Sequence, residues 1–314
     1  MAQLAILYDP LFLKHDPGAG HAEAPRRLQS IMTYLQNNGF LNKISVFSPQ
    51  EASTAHLSLV HTPEYIESIL QLRGVEHYIL DHGDTILNEY SVEAALRAAG
   101  AALTAVDLIF EQQFDKIFAA VRPPGHHAEA GRGMGFCIFN NIALAARYAL
   151  QKENVKRVLI IDWDVHHGNG SQHIFYDDAS VFYLSLHQFP FYPRSGTASE
   201  TGADAGDGFT MNIPLPAGQT DDDYAQHLEQ ALTEIELRFK PDLLLVSAGF
   251  DAHVSDPLGG MRLTADGFYK LTELAARFAQ RHANGRIISF LEGGYSYPGL
   301  AKSVYEHLRC LIKH

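Results

Sequence analysis

Five near-continuous apolar runs of strand length, each leading straight into glycine-rich polar sequence, limit this chain to very few folds. They are DKIFAAV (115 to 121), RVLIID (157 to 162), SVFYLSLH (180 to 187), DLLLVSAGF (242 to 250) and RIISFLE (286 to 292). Apolarity without alternation marks strands covered on both faces, as in parallel sheets. Between the runs lie stretches with apolar residues every three or four positions: 91 to 114, 221 to 239 and 265 to 283. These read as amphipathic helices. The alternation predicts an α/β fold, a central mainly parallel sheet flanked by helices. The opening MAQLAILYDPLF has no basic leader and is broken by Asp9 and Pro10, so it reads as a first strand and turn.

No repeat, low-complexity tract or Pro/Ser-rich linker divides the 314 residues, which are therefore expected to form one domain, 1 to 314. A hydrophobic share of 46% suffices for a large core, and no run reaches the length of a membrane span. Two cysteines, Cys137 and Cys310, are too few for a disulfide framework, so a reducing cytoplasm is expected. A formal charge of -12 with no basic stripe argues against direct nucleic-acid binding. Oligomeric state leaves no trace in the sequence.

The loops after the five runs are RPPGHHAE, DWDVHHGNG, SLHQFPFYP, GFDAH and EGGYS. Catalytic groups of open parallel sheets gather beyond the carboxyl ends of the strands, so these loops should converge on one site. In DWDVHHGNG, Asp164 and His166 are one residue apart, and in an extended segment both would face one ion while His167 faces away. Asp251, at another strand end, is the best-placed third ligand. One His with two Asp suits catalytic zinc, or a substituting Fe(II) or Co(II), with room left for water and a substrate oxygen. Taken alone, the D-x-H pair reads more readily as a capped turn with a satisfied core histidine.

The second cluster weighs against that bland reading. His126 and His127 follow a stiff Pro-Pro and lie among glycines that allow close backbone approach. An imidazole beside a metal can take a proton from water and return it to a leaving amine. Asp162, one step before the ligand pair, is placed to accept a hydrogen bond from one of these histidines. Tyr295, after Gly293 and Gly294, can present its phenol to a developing oxyanion, although a lone Tyr after Gly-Gly is more often a packed turn aromatic.

Taken together these loops closely resemble the class II histone deacetylases and the bacterial histone deacetylase-like amidohydrolases of the arginase/deacetylase superfamily. The resemblance runs through HAEAPRRL (21 to 28), VHTPEYI (60 to 66), RPPGHHAE, MGFCIFNN, DWDVHHGNG, SLHQ, SAGFDAH, DPLGG and LEGGY, nearly the whole chain. It implies one catalytic zinc on Asp164, His166 and Asp251, and hydrolysis of acyl-amides of lysine or related amines. It also implies a dyad of His126 and His127, with His127 as general base and acid, and an oxyanion role for Tyr295. Asn169 stands where class I members carry Asp, which is the class II form. Arginase-like relatives add metal-binding aspartates where this chain has Gly168 and His253, so a second catalytic ion lacks carboxylates. Class IIa members replace the tyrosine by His, whereas Tyr295 is present here.

The resemblance further implies a potassium site formed by Asp162, the carbonyls of Asp164, His166 and Leu186, and the Ser185 hydroxyl. It implies a substrate channel at Gly135 and Phe136, with Tyr192 on the opposite wall and Leu258 at the mouth. In the polyamine-selective branch of the family a glutamate stands at that mouth position. The leading expectation is therefore a zinc-dependent acyl-lysine deacetylase acting on proteins or peptides. Acetylpolyamine hydrolysis is the nearest alternative, and an acyl-lysine binding module without turnover is a third.

Overall fold

The computed structural model describes residues 3–81 and 83–314. Its strands are β1 (Leu4–Leu7), β2 (Ser45–Phe47), β3 (Tyr78–Ile79), β4 (Ile86–Leu87), β5 (Lys116–Ala119), β6 (Val158–Asp162), β7 (Val181–Gln188), β8 (Thr210–Leu215), β9 (Leu243–Ala248) and β10 (Ile287–Leu291). The helices are α1 (Arg26–Asn37), α2 (Thr54–Leu57), α3 (Pro63–Leu70), α4 (Ser91–Phe110), α5 (Asn141–Ala149), α6 (Asn169–Ile174), α7 (Asp221–Arg238), α8 (Ala265–His282) and α9 (Tyr297–Lys313). Among the described residues, eight strands form one sheet in the order β2-β1-β5-β10-β9-β6-β7-β8, and every adjacent pair is parallel. Strands β3 and β4 form a separate antiparallel hairpin.

The five apolar runs become five contiguous strands, β5, β10, β9, β6 and β7. They are buried along their lengths apart from the last residue of β7. Helices α5 and α8 both contact β9, while α4 and α9 both contact β5, so helices supply the cover that these strands require. From β6 the chain passes to β7 on one side, and from β9 to β10 on the other. The strand order thus reverses between β6 and β9, where open α/β sheets form their ligand crevice.

Two boundaries differ instructively from the sequence pattern. The helix expected over 91 to 114 stops at Phe110, because Gln112 turns to φ 58° and the amides of Gln113 and Phe114 fold back onto the Leu108 carbonyl. Residues 163 to 166, expected to be extended, are bent instead, since β6 ends at Asp162. The bend is held by Asp162 Oδ1, which accepts the Asp164 amide at 3.1 Å, and by Asp164 Oδ1, which accepts the His166 amide at 2.9 Å.

A buried ion cluster ties the N-terminal segment to the loop after β10. Glu23 is gripped by Arg122 through Nε (2.5 Å) and Nη2 (2.7 Å), and by Arg27 Nη1 at 2.9 Å. Arg27 also donates to the carbonyls of Glu292 (2.5 Å) and Gly294 (2.6 Å). Burial opposes ionisation of Glu23, but Arg122, His15 and Arg27 outweigh it and hold its carboxyl well below the usual range. Arg122→Ala would leave a buried carboxylate short of its main partner. It should lower the unfolding free energy by about 3–5 kcal/mol in urea denaturation. Because the folded-state pKa is depressed, this stabilisation is present above the ordinary carboxyl value of 4.5 and fades as pH falls below it. The stability gap between wild type and Glu23→Gln should accordingly narrow on acidification.

Candidate active site

The loops after β5, β6, β7, β9 and β10 all reach one channel of about 450 Å³, whose lining includes His126, His127, His166, Gln188, Tyr192, Gly293 and Tyr295. At its floor, ligand atoms of Asp164, His166 and Asp251 lie within 4.8 Å of one another, the one such gathering of three metal-binding side chains among the described residues. His166 Nδ1 is 3.0 Å from Asp164 Oδ1 and 3.2 Å from Asp251 Oδ2. One ring nitrogen cannot direct a single hydrogen at both, and Asp251 Oδ2 remains buried without a hydrogen bond. Two dry carboxylates facing one imidazole call for a cation, so the donor set fits a metal ion.

The outward oxygens are fixed by backbone amides, Gly293 N to Asp164 Oδ2 at 2.7 Å and Val165 N to Asp251 Oδ1 at 2.8 Å. Glycine is required around them. A Cβ on Gly293 would sit 2.0 Å from Asp251 Oδ2, and one on Gly249 would sit 2.1 Å from Asp164 Oδ2. Phe191 stacks on the His166 ring at 5.3 Å. Among the described residues no second cluster of three metal-binding side chains extends the set. A Cβ on Gly168 would meet Asp162 Oδ2 at 2.2 Å, and His253 is bonded to Ser255 Oγ at 2.8 Å. His167 faces away from the floor, bonded to Ser195 and Gln172.

The two dyad imidazoles lie 4.0 Å apart, centre to centre, with different partners. His126 Nδ1 donates to Asp162 Oδ2 at 3.0 Å, and the buried Tyr183 hydroxyl donates to the same oxygen at 3.1 Å. Burial works against charge on His126, but Asp162, Asp164 and Glu292 raise it to about 10. His127 Nδ1 faces Asn169 Oδ1 at 2.8 Å. Burial, with His126 and His166 nearby, holds it well below its ordinary value. The Tyr295 ring lies under the Arg27 guanidinium at 4.9 Å, and burial pushes its phenol well above the usual range, which keeps it a donor. Asp256 Oδ2 holds the Tyr295 amide at 2.6 Å.

Phe136 and Tyr192 both line the channel, with Leu258 and Asp84 also in its lining. Phe136 adopts φ 70°, held by its amide donating to Thr85 Oγ1 at 2.9 Å, while Gly135 N donates to Asp81 Oδ2 at 3.1 Å. Thr85 Oγ1 in turn donates to Asp81 Oδ2 at 2.7 Å. Gly135 has no room for a side chain, since a Cβ would meet His127 Cδ2 at 2.6 Å. Ser185 lies opposite Asp162 in the β6–β7 register, with its hydroxyl 2.9 Å from His187 Nδ1. Sequence reasoning missed Phe191, Tyr183, Asp256 and Glu292. Of these only Glu292 left a sequence signal, as the acid that closes a strand just before Gly-Gly.

The histone deacetylase domain family matches residues 21–311. The chain belongs to the histone deacetylase family. It is 38% identical over 296 residues to a probable deacetylase of Archaeoglobus fulgidus, covering 94% of this chain and 82% of that one. It is 40% identical over 302 residues to the Polyamine deacetylase HDAC10 of Mus musculus, covering 92% of this chain and 45% of that one. The solved structure of the HDA15 HD domain superposes with a TM-score of 0.93 at 36% identity, covering 99% of this chain and 91% of that one. This histone deacetylase family member is thus a hydrolase of amide bonds on an α/β fold. No helix among the described residues is long and apolar enough to cross a membrane.

Because Gly293 leaves room for both carboxylates, Gly293→Ala should displace them and reduce bound divalent metal well below one ion per chain in elemental analysis. Gly131→Ala, where a Cβ meets nothing within 4 Å, should leave the metal content unchanged.

Proposed function

We propose that this deacetylase removes acetyl or other short acyl groups from lysine side chains of proteins or peptides, with one zinc ion held by Asp164, His166 and Asp251. The observation that carries the proposal is the channel itself. It is walled by Phe136 and Tyr192, and its lining carries His127, Tyr295 and His166, whose Nδ1 meets Asp164 and Asp251. Zinc, when bound, supplies Lewis acidity toward the acyl carbonyl and the attacking water.

The protein's own groups do the rest. The aromatic pair flanks the lysine methylenes and excludes water. His127, its Nδ1 engaged by Asn169, accepts a proton from the attacking water through Nε2 and later delivers a proton to the leaving amine. His126, bonded to Asp162, supports that exchange as the charged neighbour. Tyr295 donates its phenolic hydrogen to the oxyanion. Water thus adds across the amide, giving a free carboxylate and the protonated amine.

The wider reading is a single catalytic domain over 1 to 314 of class II type, supported by Asn169 on the second dyad histidine. Potassium on Asp162, Ser185 and the carbonyls of Asp164, His166 and Leu186 is supported by the β6–β7 register. A cytoplasmic location is supported by two buried, unpaired cysteines.

Hydrolysis of acylated polyamines is the second reading, favoured by the Asp84 carboxylate in the channel lining. Against it stands Leu258, which gives an apolar lip where a glutamate could make a charge-assisted contact with a distal ammonium. The specificity constant should therefore be higher for an acetyl-lysine peptide than for acetylputrescine, and Leu258→Glu should shift it toward the polyamine. A higher value for acetylputrescine in the wild type would replace the first reading with the second. Tyr295→Phe should lower kcat by about a hundredfold with little change in KM, as for a lost oxyanion donor. A loss confined to KM would assign Tyr295 to binding instead.

A further inference from the structure

Glu129 follows the dyad by two positions, and its carboxylate is aimed at the residue that orients His127. On the reading of His127 as the base, we propose that Glu129 is a positioning residue that sets the direction of the Asn169 amide and thereby the tautomer of His127. Asn169 Nδ2 donates to Glu129 Oε1 at 2.7 Å, while its Oδ1 lies 2.8 Å from His127 Nδ1. A carboxylate only accepts, so it pairs with the NH₂ end of the amide and turns the oxygen end toward His127. Nδ1 must then carry the hydrogen, which leaves the lone pair on Nε2. Reversing the amide would set oxygen against carboxylate and NH₂ against Nδ1–H. With Glu129 in place that arrangement is penalised twice.

Glu129 is itself well held. Its Oε1 also accepts from Arg132 Nη2 at 3.0 Å and lies 3.1 Å from His173 Nδ1. Its backbone carbonyl faces His61 Nδ1 at 3.0 Å, and the far nitrogen of that ring accepts the Asn140 amide. The chain from Glu129 through Asn169 to His127 thus converts a fixed carboxylate into a fixed imidazole face. Asn169 Nδ2 also reaches the His127 carbonyl at 3.4 Å and Met134 Sδ at 3.5 Å, both longer and uncharged contacts, so the amide's direction rests chiefly on the Glu129 carboxylate at 2.7 Å.

The test is nitrogen NMR of metal-loaded protein with ¹⁵N-labelled histidine, read beside steady-state kinetics. Wild type should show His127 protonated on Nδ1. In Glu129→Ala a fraction protonated on Nε2 should appear, with kcat lowered about tenfold to a hundredfold and KM near wild type. Glu129→Gln keeps an acceptor oxygen facing Arg132 and should recover most of the rate. In an Asn169→Asp background the side chain has no NH₂ end to orient, so Glu129→Ala should cost nothing further. An unchanged tautomer in Glu129→Ala, or an equal kinetic cost in both backgrounds, would overturn the proposal. His127→Ala separates the two levels. If it leaves kcat intact, the base assignment fails; if it abolishes turnover while Glu129→Ala changes neither tautomer nor rate, only the role of Glu129 fails.

Discussion

Two carboxylates, Asp164 and Asp251, are brought together in a dry interior with a single imidazole between them, and much of the architecture answers to that cost. Burial and the charge of Asp164 together drive the Asp251 carboxyl well above its ordinary range. Like charges this close in a low dielectric persist only where donors and a cation compensate them. The donors come from backbone, the amides of Gly293, Val165 and His166, and so their placement is fixed by the ends of β6 and β10. The reversal of strand order between β6 and β9 sets the two carboxylates side by side. Glycine at 249 and 293 then follows from space alone.

The dyad shows the same logic on a smaller scale. Two adjacent imidazoles of identical chemistry are made unlike by what each one touches. His126 has a carboxylate behind it and is driven toward the charged form, whereas His127 is buried with an amide behind it and His126 beside it, which favours the neutral form. One side acts as a charge reservoir and the other keeps a lone pair. A single oxygen of Asp162 serves both His126 and Tyr183, so the reservoir is anchored in the buried wall between β6 and β7.

How much of this was legible in the sequence depended on periodicity and on covalent proximity. The five central strands announced themselves because burial on both faces removes alternation. Strand β8 escaped notice since its TMNIPL sequence is only half buried and carries Pro214 on an edge, and β2 is three exposed or half-exposed residues. Asp164, His166, His126 and His127 were visible because each pair is close along the chain. The bend at 163 to 166 was not visible, because it is made by side chains capping amides two residues ahead. Asp256 and Tyr183 reach the site from separate segments through bonds that no local pattern encodes. Phe191 was overlooked beside Tyr192, although it is the ring that stacks on His166.

The bond pattern joining Asp81, Thr85, Gly135 and Phe136 has a consequence for how the channel changes over descent. The left-handed turn that presents Phe136 is held by Asp81 and Thr85, side chains of the segment that joins β3 to β4, not by the sheet beneath it. The width of the channel is therefore an attribute of its rim. When the loop mutates, the catalytic floor can stay untouched while the aperture is redrawn. Such a division lets selection retune which molecules enter without reopening the chemistry below.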